Sequence, residues 1–543
     1  MHLRKSGLSV TALIAVNLMV LGTFQFQSAV AENISDEQFA VQPPPGVGYT
    51  GYLVNNTRSL VRFSSFLVNF KTTGGKITGV VPCNNLRKCP TNFGAQYTDV
   101  NLSLCENNAD TKGNDGDVNC VRGIKTKNLL TNKESTKFIP RPELTADFNS
   151  IVKGDRTQGL PNGGNPLVVS IPSAPHEGGT LYLVKTDFYA MRNSINEPFK
   201  LDLITSGIYP VKIERGNFQP GGANLTPANY VGQVLAARDR ATEPPYIGGS
   251  APDAQCLMAT KKVCIVPQAF PENTAFGLTL RLQKGFTSWL YGRMANPLIS
   301  VVKPGAANPD NMLVNIFAEP VKVPVPYGWI KNSELPPSLL EKYSQDRSGT
   351  FYAGKNRAAP LDSVSILKGL SNNFGASAID ELLGWMPLLG DKAEAMPSQW
   401  SFQTLILDSS TASEISKCTN QTKGLTGLIF TNATVYSSGA PTYDANSGSL
   451  DYQVAAPHFK PDGSLMAGSY DLVLNSDVAR CLYGFTQAPV GASVSVTSND
   501  GIDQVATVIV SEKDGFLRLG AYGFGFSAPK IKIKLNQPKA IKK

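Results

Sequence analysis

Leu181-Tyr-Leu-Val-Lys-Thr-Asp-Phe-Tyr189 decides the fold class, because its β-forming residues follow the period of two that is typical of a strand. Gly277-Leu-Thr-Leu-Arg-Leu-Gln283 and Ala492-Ser-Val-Ser-Val-Thr-Ser498 repeat this alternation, and the segment from Leu53 to Lys71 is rich in β-branched and aromatic residues. Short strands of this kind, bounded by glycine, proline, asparagine and serine, predict all-β, sandwich-like domains.

The segment 333–400 breaks this pattern and predicts short helices. Ser338–Tyr343 can form one or two helical turns, and Asp362 can cap a further helix over Ser363–Leu370. Apolar residues at i, i+3, i+4 and i+7 then predict one face of another helix, which Pro387 ends. These residues are Ile379, Leu382, Leu383 and Met386. We interpret the segment as a helical connector whose apolar face packs on a neighbour; a membrane-binding or partner-binding face is the alternative.

We therefore predict a mainly β chain with two or more β-sandwich-like domains joined by a short helical connector. The central β region could form one domain with the region before it. The predicted boundaries are a signal peptide at 1–31, an N-terminal β region with four cysteines at 32–160, a central β region at 161–332, the helical connector at 333–400 and a C-terminal β-sandwich domain at 401–543.

The first residues have the features of a secretory signal. Arg4 and Lys5 precede an apolar stretch from Leu8 to Phe24, and Ala29-Val-Ala31 supplies the small residues that a signal peptidase accepts. An uncleaved membrane anchor is the alternative interpretation. We expect cleavage after Ala31 and an exported or cell-surface protein without a later transmembrane anchor.

Positive charge is concentrated at the C-terminus. The chain has 50 Lys+Arg and 42 Asp+Glu, and the segment from Ala528 to Lys543 holds six lysines and no acid. The nearly neutral remainder argues against a nucleic-acid-binding body. Lys530-Ile-Lys-Ile-Lys-Leu535 predicts an edge strand with its isoleucines inward and its lysines outward. The alternative is a tail that contacts an anionic cell-wall polymer or lipid.

Cysteines indicate disulfides, because an even number in an exported chain favours pairing over metal ligation. Proximity predicts four pairs, and the spacing does not fit a zinc knuckle. The pairs are Cys83–Cys89, Cys105–Cys120, Cys256–Cys264 and Cys418–Cys481.

Only His176 and His458 remain after signal removal, which restricts catalysis. A Ser-His-Asp or Cys-His site would need one of them, and the sequence has neither a Gly-x-Ser-x-Gly nor a His-Glu-x-x-His motif. A glycosidase with two carboxylates needs no histidine and stays open. Both histidines follow Ala-Pro and precede a glycine-containing turn, which suggests an internal duplication in which both have structural roles; chance similarity among turn-rich strands is the alternative.

Oxygen-bearing side chains are densest between Cys105 and Cys120. The calcium candidates in this segment are Asp110, Asn114, Asp115 and Asp117. Lys112 and Asn119 stand where an EF-hand loop has ligands, so that pattern is not met. A tight turn closed by a disulfide is the alternative, and we expect no other cofactor.

Several aromatic residues could stack on sugar rings if they are exposed, although core packing is the more usual role in a β-sandwich. They are Tyr97, Tyr246, Trp289, Tyr291 and Trp329.

Several segments carry a family resemblance that extends over most of the chain after the signal. They are Ala455-Ala-Pro-His-Phe-Lys-Pro-Asp-Gly463, Ser476-Asp-Val-Ala-Arg-Cys-Leu-Tyr-Gly-Phe485, Ala492-Ser-Val-Ser-Val496, Lys513-Asp-Gly-Phe516, Leu160-Pro-Asn-Gly-Gly-Asn165 and Trp289-Leu-Tyr-Gly-Arg293. Together they resemble a group of secreted actinobacterial proteins of unknown function. The resemblance implies a bacterial, exported protein and assigns no catalytic or binding residue.

From the sequence we expect a secreted or cell-surface structural or interaction protein, with a cell-wall or extracellular polymer as its partner and no nucleic acid. Export, the β-sandwich pattern, the few histidines and the lack of a catalytic motif support this hypothesis. The alternative is a carbohydrate-binding protein or a histidine-independent glycoside hydrolase. That alternative predicts two acids about 5 to 10 Å apart in a groove with exposed aromatic residues.

Overall fold

A computed structural model gives the fold of most of the chain between Asp36 and Asn536. It describes residues 36–38, 44–54, 65–73, 76–83, 85–89, 95–106, 119–148, 151–216, 257–260, 262–283, 289–302, 311–346, 349–353, 360–369, 375–405, 418, 425–437, 439–444, 446–485, 491–497, 503–504, 506–526 and 529–536. These residues are mainly β, with several sheets and few helices, which confirms the predicted fold class.

Strands are numbered in chain order. The first sixteen are β1 Tyr49–Leu53, β2 Phe66–Thr73, β3 Lys76–Cys83, β4 Ala95–Asn101, β5 Cys120–Asn128, β6 Glu134–Ser135, β7 Ile139–Pro140, β8 Leu167–Ser170, β9 Leu181–Arg192, β10 Lys200–Arg215, β11 Met258–Ala259, β12 Val263–Pro267, β13 Thr274–Gln283, β14 Trp289–Arg293, β15 Ala295–Val302 and β16 Asn311–Glu319. The others are β17 Val321–Lys322, β18 Tyr327–Lys331, β19 Thr350–Ala353, β20 Ser365–Gly369, β21 Ser398–Gln399, β22 Ser401–Thr404, β23 Gly427–Thr431, β24 Val435–Tyr436, β25 Thr442–Asp444, β26 Ser449–Ala455, β27 Gly468–Asn475, β28 Gly491–Thr497, β29 Asp503–Gln504, β30 Thr507–Lys513, β31 Phe516–Phe524 and β32 Lys530–Asn536.

The α-helices are few and short. They are α1 Pro337–Gln345, α2 Ala376–Trp385 and α3 Ser476–Tyr483. Single 3-10 turns occupy Asp36–Gln38, Leu86–Lys88, Pro142–Leu144, Ala146–Phe148, Arg156–Gln158, Asn332–Glu334, Leu361–Ser363 and Met386–Leu389.

One large sheet organises the molecule. Its main path runs β3-β2-β4-β9-β10-β22-β14-β23-β27-β31-β30, and short strands extend it beside β9 and β10. Neighbours along the path are antiparallel except β14 and β23, which are parallel. Strands from before and after residues 160, 332 and 400 all belong to this sheet. The domain boundaries that the sequence predicts at these three positions stay predictions.

A five-stranded sheet in the order β15-β16-β13-β5-β6 covers one face of the large sheet. Leu278 and Leu280 of β13 belong to the same buried cluster as Val184 and Phe188 of β9 and Phe402 of β22. Alternate residues of facing strands therefore form a core between two sheets, as the sandwich pattern predicts.

A second covering sheet lies on the opposite face of the large sheet. It runs β24-β26-β32-β28-β29, with β25 beside β26. Ile531 and Ile533 of β32 share a buried cluster with Ile429 of β23 and Leu472 of β27. Leu428 of β23 belongs instead to the buried cluster that lies between the large sheet and the five-stranded sheet. The middle of the large sheet is therefore buried on both faces.

The predicted connector packs through the face that its spacing predicts. Ile379, Leu382 and Met386 are buried with Trp385, whereas Leu383 is half-buried. The helix predicted over Ser363–Leu370 is wrong, because Ser365–Gly369 of this segment form β20. β20 pairs in parallel with β1 in a four-stranded sheet of order β18-β1-β20-β19.

The C-terminal lysine strand is confirmed in its alternation and corrected in its position. Ile531 and Ile533 are buried, while Lys530 and Lys534 are exposed. However, β32 pairs with both β26 and β28, so it is an interior strand of its sheet and not an edge. The lysines lie on the outer face instead of protecting an edge. Residues 537–543, which hold the other lysines, lie outside the described residues.

Disulfides join the pairs that proximity predicts wherever both cysteines are described. Cys83–Cys89, Cys105–Cys120 and Cys418–Cys481 have Cα–Cα separations of 5.5, 5.2 and 5.6 Å. Cys264 is also disulfide-bonded, and Cys256 lies outside the described residues.

Candidate functional site

His176 is held inside the short hairpin that joins β8 to β9. The backbone N–H of Gly178 donates to its Nδ1 at 3.2 Å, and its Nε2 donates to the carbonyl oxygen of Leu181 at 2.9 Å. One neutral tautomer satisfies both bonds. Burial lowers the pKa of His176, which favours that neutral form. The ring therefore stabilises the turn.

His458 joins two loops instead. Its backbone N–H donates to Oδ1 of Asp391 at 3.0 Å, and its Nδ1 contacts the other carboxylate oxygen of Asp391. The N–H of Phe459 also donates to the carbonyl oxygen of Asp391, at 3.1 Å. The pair thus connects the end of the connector to the loop between β26 and β27.

The two histidine turns are not equivalent, which contradicts the duplication hypothesis. β8 and β9 are neighbours in the large sheet, so the turn of His176 is a local hairpin. β26 lies in the second covering sheet and β27 in the large sheet, so the loop of His458 crosses between sheets. Similar turn residues explain the shared Ala-Pro-His sequence without a common origin.

A cluster of polar residues lies on β4 and β9, on the face of the large sheet away from the five-stranded sheet. We call Asp99, Asn101, Lys185 and Asp187 the polar cluster, and all four are buried. The register sets Asp99 opposite Tyr189 and Asn101 opposite Asp187. Asp99 and Asp187 are therefore diagonal neighbours on one face, with Cα atoms about 7 Å apart.

Lys185 forms an ion pair with Asp187, two residues along the same face of β9. Tyr209 of β10 lies beside this pair and over Gly207, where an added Cβ would come within 2.6 Å of the Tyr209 hydroxyl. Burial raises the pKa of Tyr209, and the negative charge of Asp187 raises it further. The glycine thus permits a close approach of the phenol to the ion pair.

A second buried network lies in the connector. Tyr343 donates to Oε1 of Glu381 at 2.6 Å, Lys342 donates to Oε2 at 2.6 Å, and Trp385 donates to the Tyr343 hydroxyl at 2.7 Å. Tyr52 of β1 stacks on Trp385 with ring centroids 5.0 Å apart. Burial raises the pKa of Tyr343, so the phenol stays protonated and donates. These contacts fix α1, α2 and β1 together.

A third network links β27 to β31. Arg518 donates to Oδ1 of Asp471 at 3.0 Å, and Tyr522 contacts the same oxygen. The backbone N–H of Asn296 donates to Oδ2 at 3.3 Å. Burial raises the pKa of Asp471, while Arg518 opposes that effect. The carboxylate thus joins three strands of two sheets.

The aromatic candidates are mostly in the core. Tyr97, Trp289 and Tyr291 are buried, and Trp329 is half-buried with its Nε1 donating to the Tyr327 hydroxyl at 2.8 Å. Tyr246 lies outside the described residues. Three of the five candidates are therefore unable to stack on a sugar without opening the core.

The calcium candidates Asp110, Asn114, Asp115 and Asp117 lie outside the described residues. Within the part of the chain that the structure does describe, no three His, Cys, Asp or Glu side chains converge as a metal site would require. No helix in that part is both long enough and apolar enough to cross a bilayer.

Sequence inspection missed the polar cluster. Its signal in the sequence is the pair Lys185 and Asp187, two opposite charges on one face of a strand that is mostly apolar and aromatic. The contribution of β4 could not be read, because the register between β4 and β9 joins residues that are far apart in the chain.

Comparison with known proteins gave no match to any family model, curated protein or solved structure.

Proposed function

We propose that this protein is a non-enzymatic interaction protein of the cell envelope or the extracellular space. The observation that carries the proposal is the state of the two histidines: both ring nitrogens of His176 are hydrogen-bonded within a turn, and Nδ1 of His458 contacts Asp391 of a neighbouring loop. A histidine-dependent hydrolase would need one of them at a reacting centre. The disulfides support an oxidising compartment.

The outer face of the second covering sheet supplies the surface. Lys530 and Lys534 are exposed on β32, and Lys532 lies between them at 3.6 Å from Asp451. The register places Ser493 opposite Lys534 and Ser495 opposite Lys532. We call this strip of lysines and serine hydroxyls the lysine face. Fixed positive charges beside hydroxyl groups favour an anionic extracellular polymer as the partner.

Co-sedimentation with purified anionic cell-wall polymer tests this proposal. We expect binding that weakens with salt and that falls in a Lys530→Glu/Lys534→Glu double variant. A Lys133→Glu/Lys137→Glu variant is the matched control, because it makes the same charge change at exposed residues elsewhere. Equal binding by the two variants would count against the lysine face, and recovery of the protein from the cytoplasm would end the proposal.

A second candidate function is favoured by the polar cluster. The register makes Asp99 and Asp187 diagonal neighbours on one face of β4 and β9, which brings together two carboxyl groups of the kind that glycoside hydrolysis uses. Both are buried, so a substrate would need the surrounding chain to open. A panel of chromogenic glycosides decides the question: turnover that disappears in both Asp99→Asn and Asp187→Asn, with the fold intact, would establish this function in place of the first.

A further inference from the structure

Strand β30 lies at one end of the described path of the large sheet, and its exposed, β-branched residues are unusual for an edge strand. Among the described residues its ladder partner is β31 alone. Six of its seven residues are exposed, and Ile509 is intermediate. Val508 and Val510 expose 41% and 39% of their surface. A straight edge strand of β-branched residues is a template for strand pairing, and proteins usually protect such an edge.

The hairpin turn between β30 and β31 determines which backbone N–H and C=O groups of β30 point toward the open edge. Asp514 and Gly515 form a two-residue turn, and both have a positive φ, at 53° and 79°. In such a hairpin the residues that flank the turn, Lys513 and Phe516, exchange hydrogen bonds. Alternation then directs the N–H and C=O of Ile509 toward β31 and those of Val508 and Val510 toward the open edge.

The sequence of this edge is nearly palindromic. Thr507-Val-Ile-Val-Ser511 reads almost the same in either direction. Antiparallel pairing with an identical strand, centred on Ile509, sets Val508 opposite Val510 and Thr507 opposite Ser511. The outward groups then match, and about four hydrogen bonds form between the strands. The charges of Glu512 and Lys513 fall beyond this paired stretch.

We propose that β30 is a self-association edge, and that its partner is β30 of a second copy of this chain, related by a two-fold axis that passes between the two Ile509 residues. The large sheet then continues from one subunit into the next. An antiparallel two-fold contact is isologous and closes after two subunits, so it gives a dimer and not a fibre. This inference goes beyond the proposed function and does not depend on the lysine face.

Neighbouring structure holds the edge in place. Arg480 of α3 donates to both carboxylate oxygens of Glu512, at 2.8 and 3.1 Å. The Cys418–Cys481 disulfide fixes the same helix. A preorganised strand loses less entropy on pairing than a mobile one. A single strand pair is nevertheless a small interface, so we expect a weak, concentration-dependent dimer.

Sedimentation velocity of the full mature chain over a wide concentration range tests the proposal. Val510→Pro removes one outward donor without removing a bond to β31, and Val510→Thr is the matched control that keeps the backbone and the β-branched shape. We expect a dimer in the wild type and in Val510→Thr, and dimer affinity lower by roughly tenfold or more in Val510→Pro. A wild type that is monomeric throughout would overturn the proposal, as would an unchanged dimer in Val510→Pro.

Cross-linking tests the register. In the proposed pairing the two Ile509 residues face each other without hydrogen bonds, at a spacing that suits a disulfide. Ile509→Cys is therefore expected to give a covalent dimer on a non-reducing gel, and Ser511→Cys, whose two copies are far apart, a monomer. Cross-linking of Ser511→Cys but not Ile509→Cys would refute this register. Polymer binding is measured in the same samples, so failure of the dimer is distinguishable from failure of the proposed function.

Discussion

β23 and β30 are strands of one sheet with similar residues in opposite environments. Gly427-Leu-Ile-Phe-Thr431 is buried at all five positions, whereas Thr507 to Lys513 is largely exposed. β23 lies between two covering sheets, and the covering layers leave β30 exposed on both faces. The layers above and below a strand, and not its β-forming residues, therefore decide how much free energy of folding each side chain contributes.

The largest expected effect comes from truncating a buried residue of β23. Phe430→Ala should lower the free energy of unfolding by about 4 kcal/mol, because it removes a ring from the core and leaves a cavity. Val508→Ala on β30 should lower it by less than about 0.5 kcal/mol. Chemical denaturation of both variants measures the difference. Similar losses would mean that the two strands are not in different environments.

The next effect concerns Asp471 of β27, the neighbour of β23. Asp471→Asn should lower the free energy of unfolding by about 3 kcal/mol, because Arg518 loses the carboxylate that balances its partly buried charge. Tyr522→Phe, which keeps the ion pair, should cost about 1 kcal/mol. If Asp471→Asn were as mild as Tyr522→Phe, the carboxylate would not be needed to hold the two strands together.

A smaller effect is expected where β30 meets α3. Hydrogen bonds from Arg480 lower the pKa of Glu512 below its ordinary value. A lowered carboxyl pKa stabilises the fold above the ordinary glutamate range, and this contribution disappears as the pH falls through the folded-state pKa. Glu512→Gln should therefore cost about 0.5 kcal/mol at neutral pH and progressively less as the pH falls into the acid range. A thermal-melting difference that persists in acid would contradict this assignment.

The smallest effect is expected at His176. Its half-buried ring is intermediate in exposure between the buried side chains of β23 and the exposed side chains of β30. Its folded-state pKa is lowered by burial, so the unfolded chain takes up a proton first as the pH falls below about 6.5. The wild type should therefore lose less than about 0.5 kcal/mol between pH 7.5 and pH 5, and His176→Gln should lose less than the wild type. Melting temperatures across this range measure it, and parallel curves would contradict it.

Much of the fold could be predicted from local pattern. The run at 181–189 predicts β9, and the spacing around Ile379 predicts the buried face of α2. The alternation at 530–535 predicts which side of β32 is buried. In each case the signal lies within a few residues and depends on side-chain periodicity alone.

Predictions that needed long-range information failed. β32 was expected at an edge, yet β26 and β28 flank it, because periodicity identifies a buried face but not the neighbours of a strand. The segment that forms β20 has helix-start residues, and pairing with β1 overrides them. The polar cluster likewise depends on the register between β4 and β9, which no local pattern contains.

The position of β1 has a consequence for the time course of folding. β1 at Tyr49–Leu53 lies between β18 at Tyr327–Lys331 and β20 at Ser365–Gly369, and it runs parallel to β20. An early strand with such late partners cannot complete its ladder during synthesis until residue 369 is available. Contacts of this sequence separation make folding slow and leave apolar strands exposed in the meantime. The centre of this sheet should therefore be among the last parts of the chain to gain protection from hydrogen exchange, although it is among the first to be synthesised.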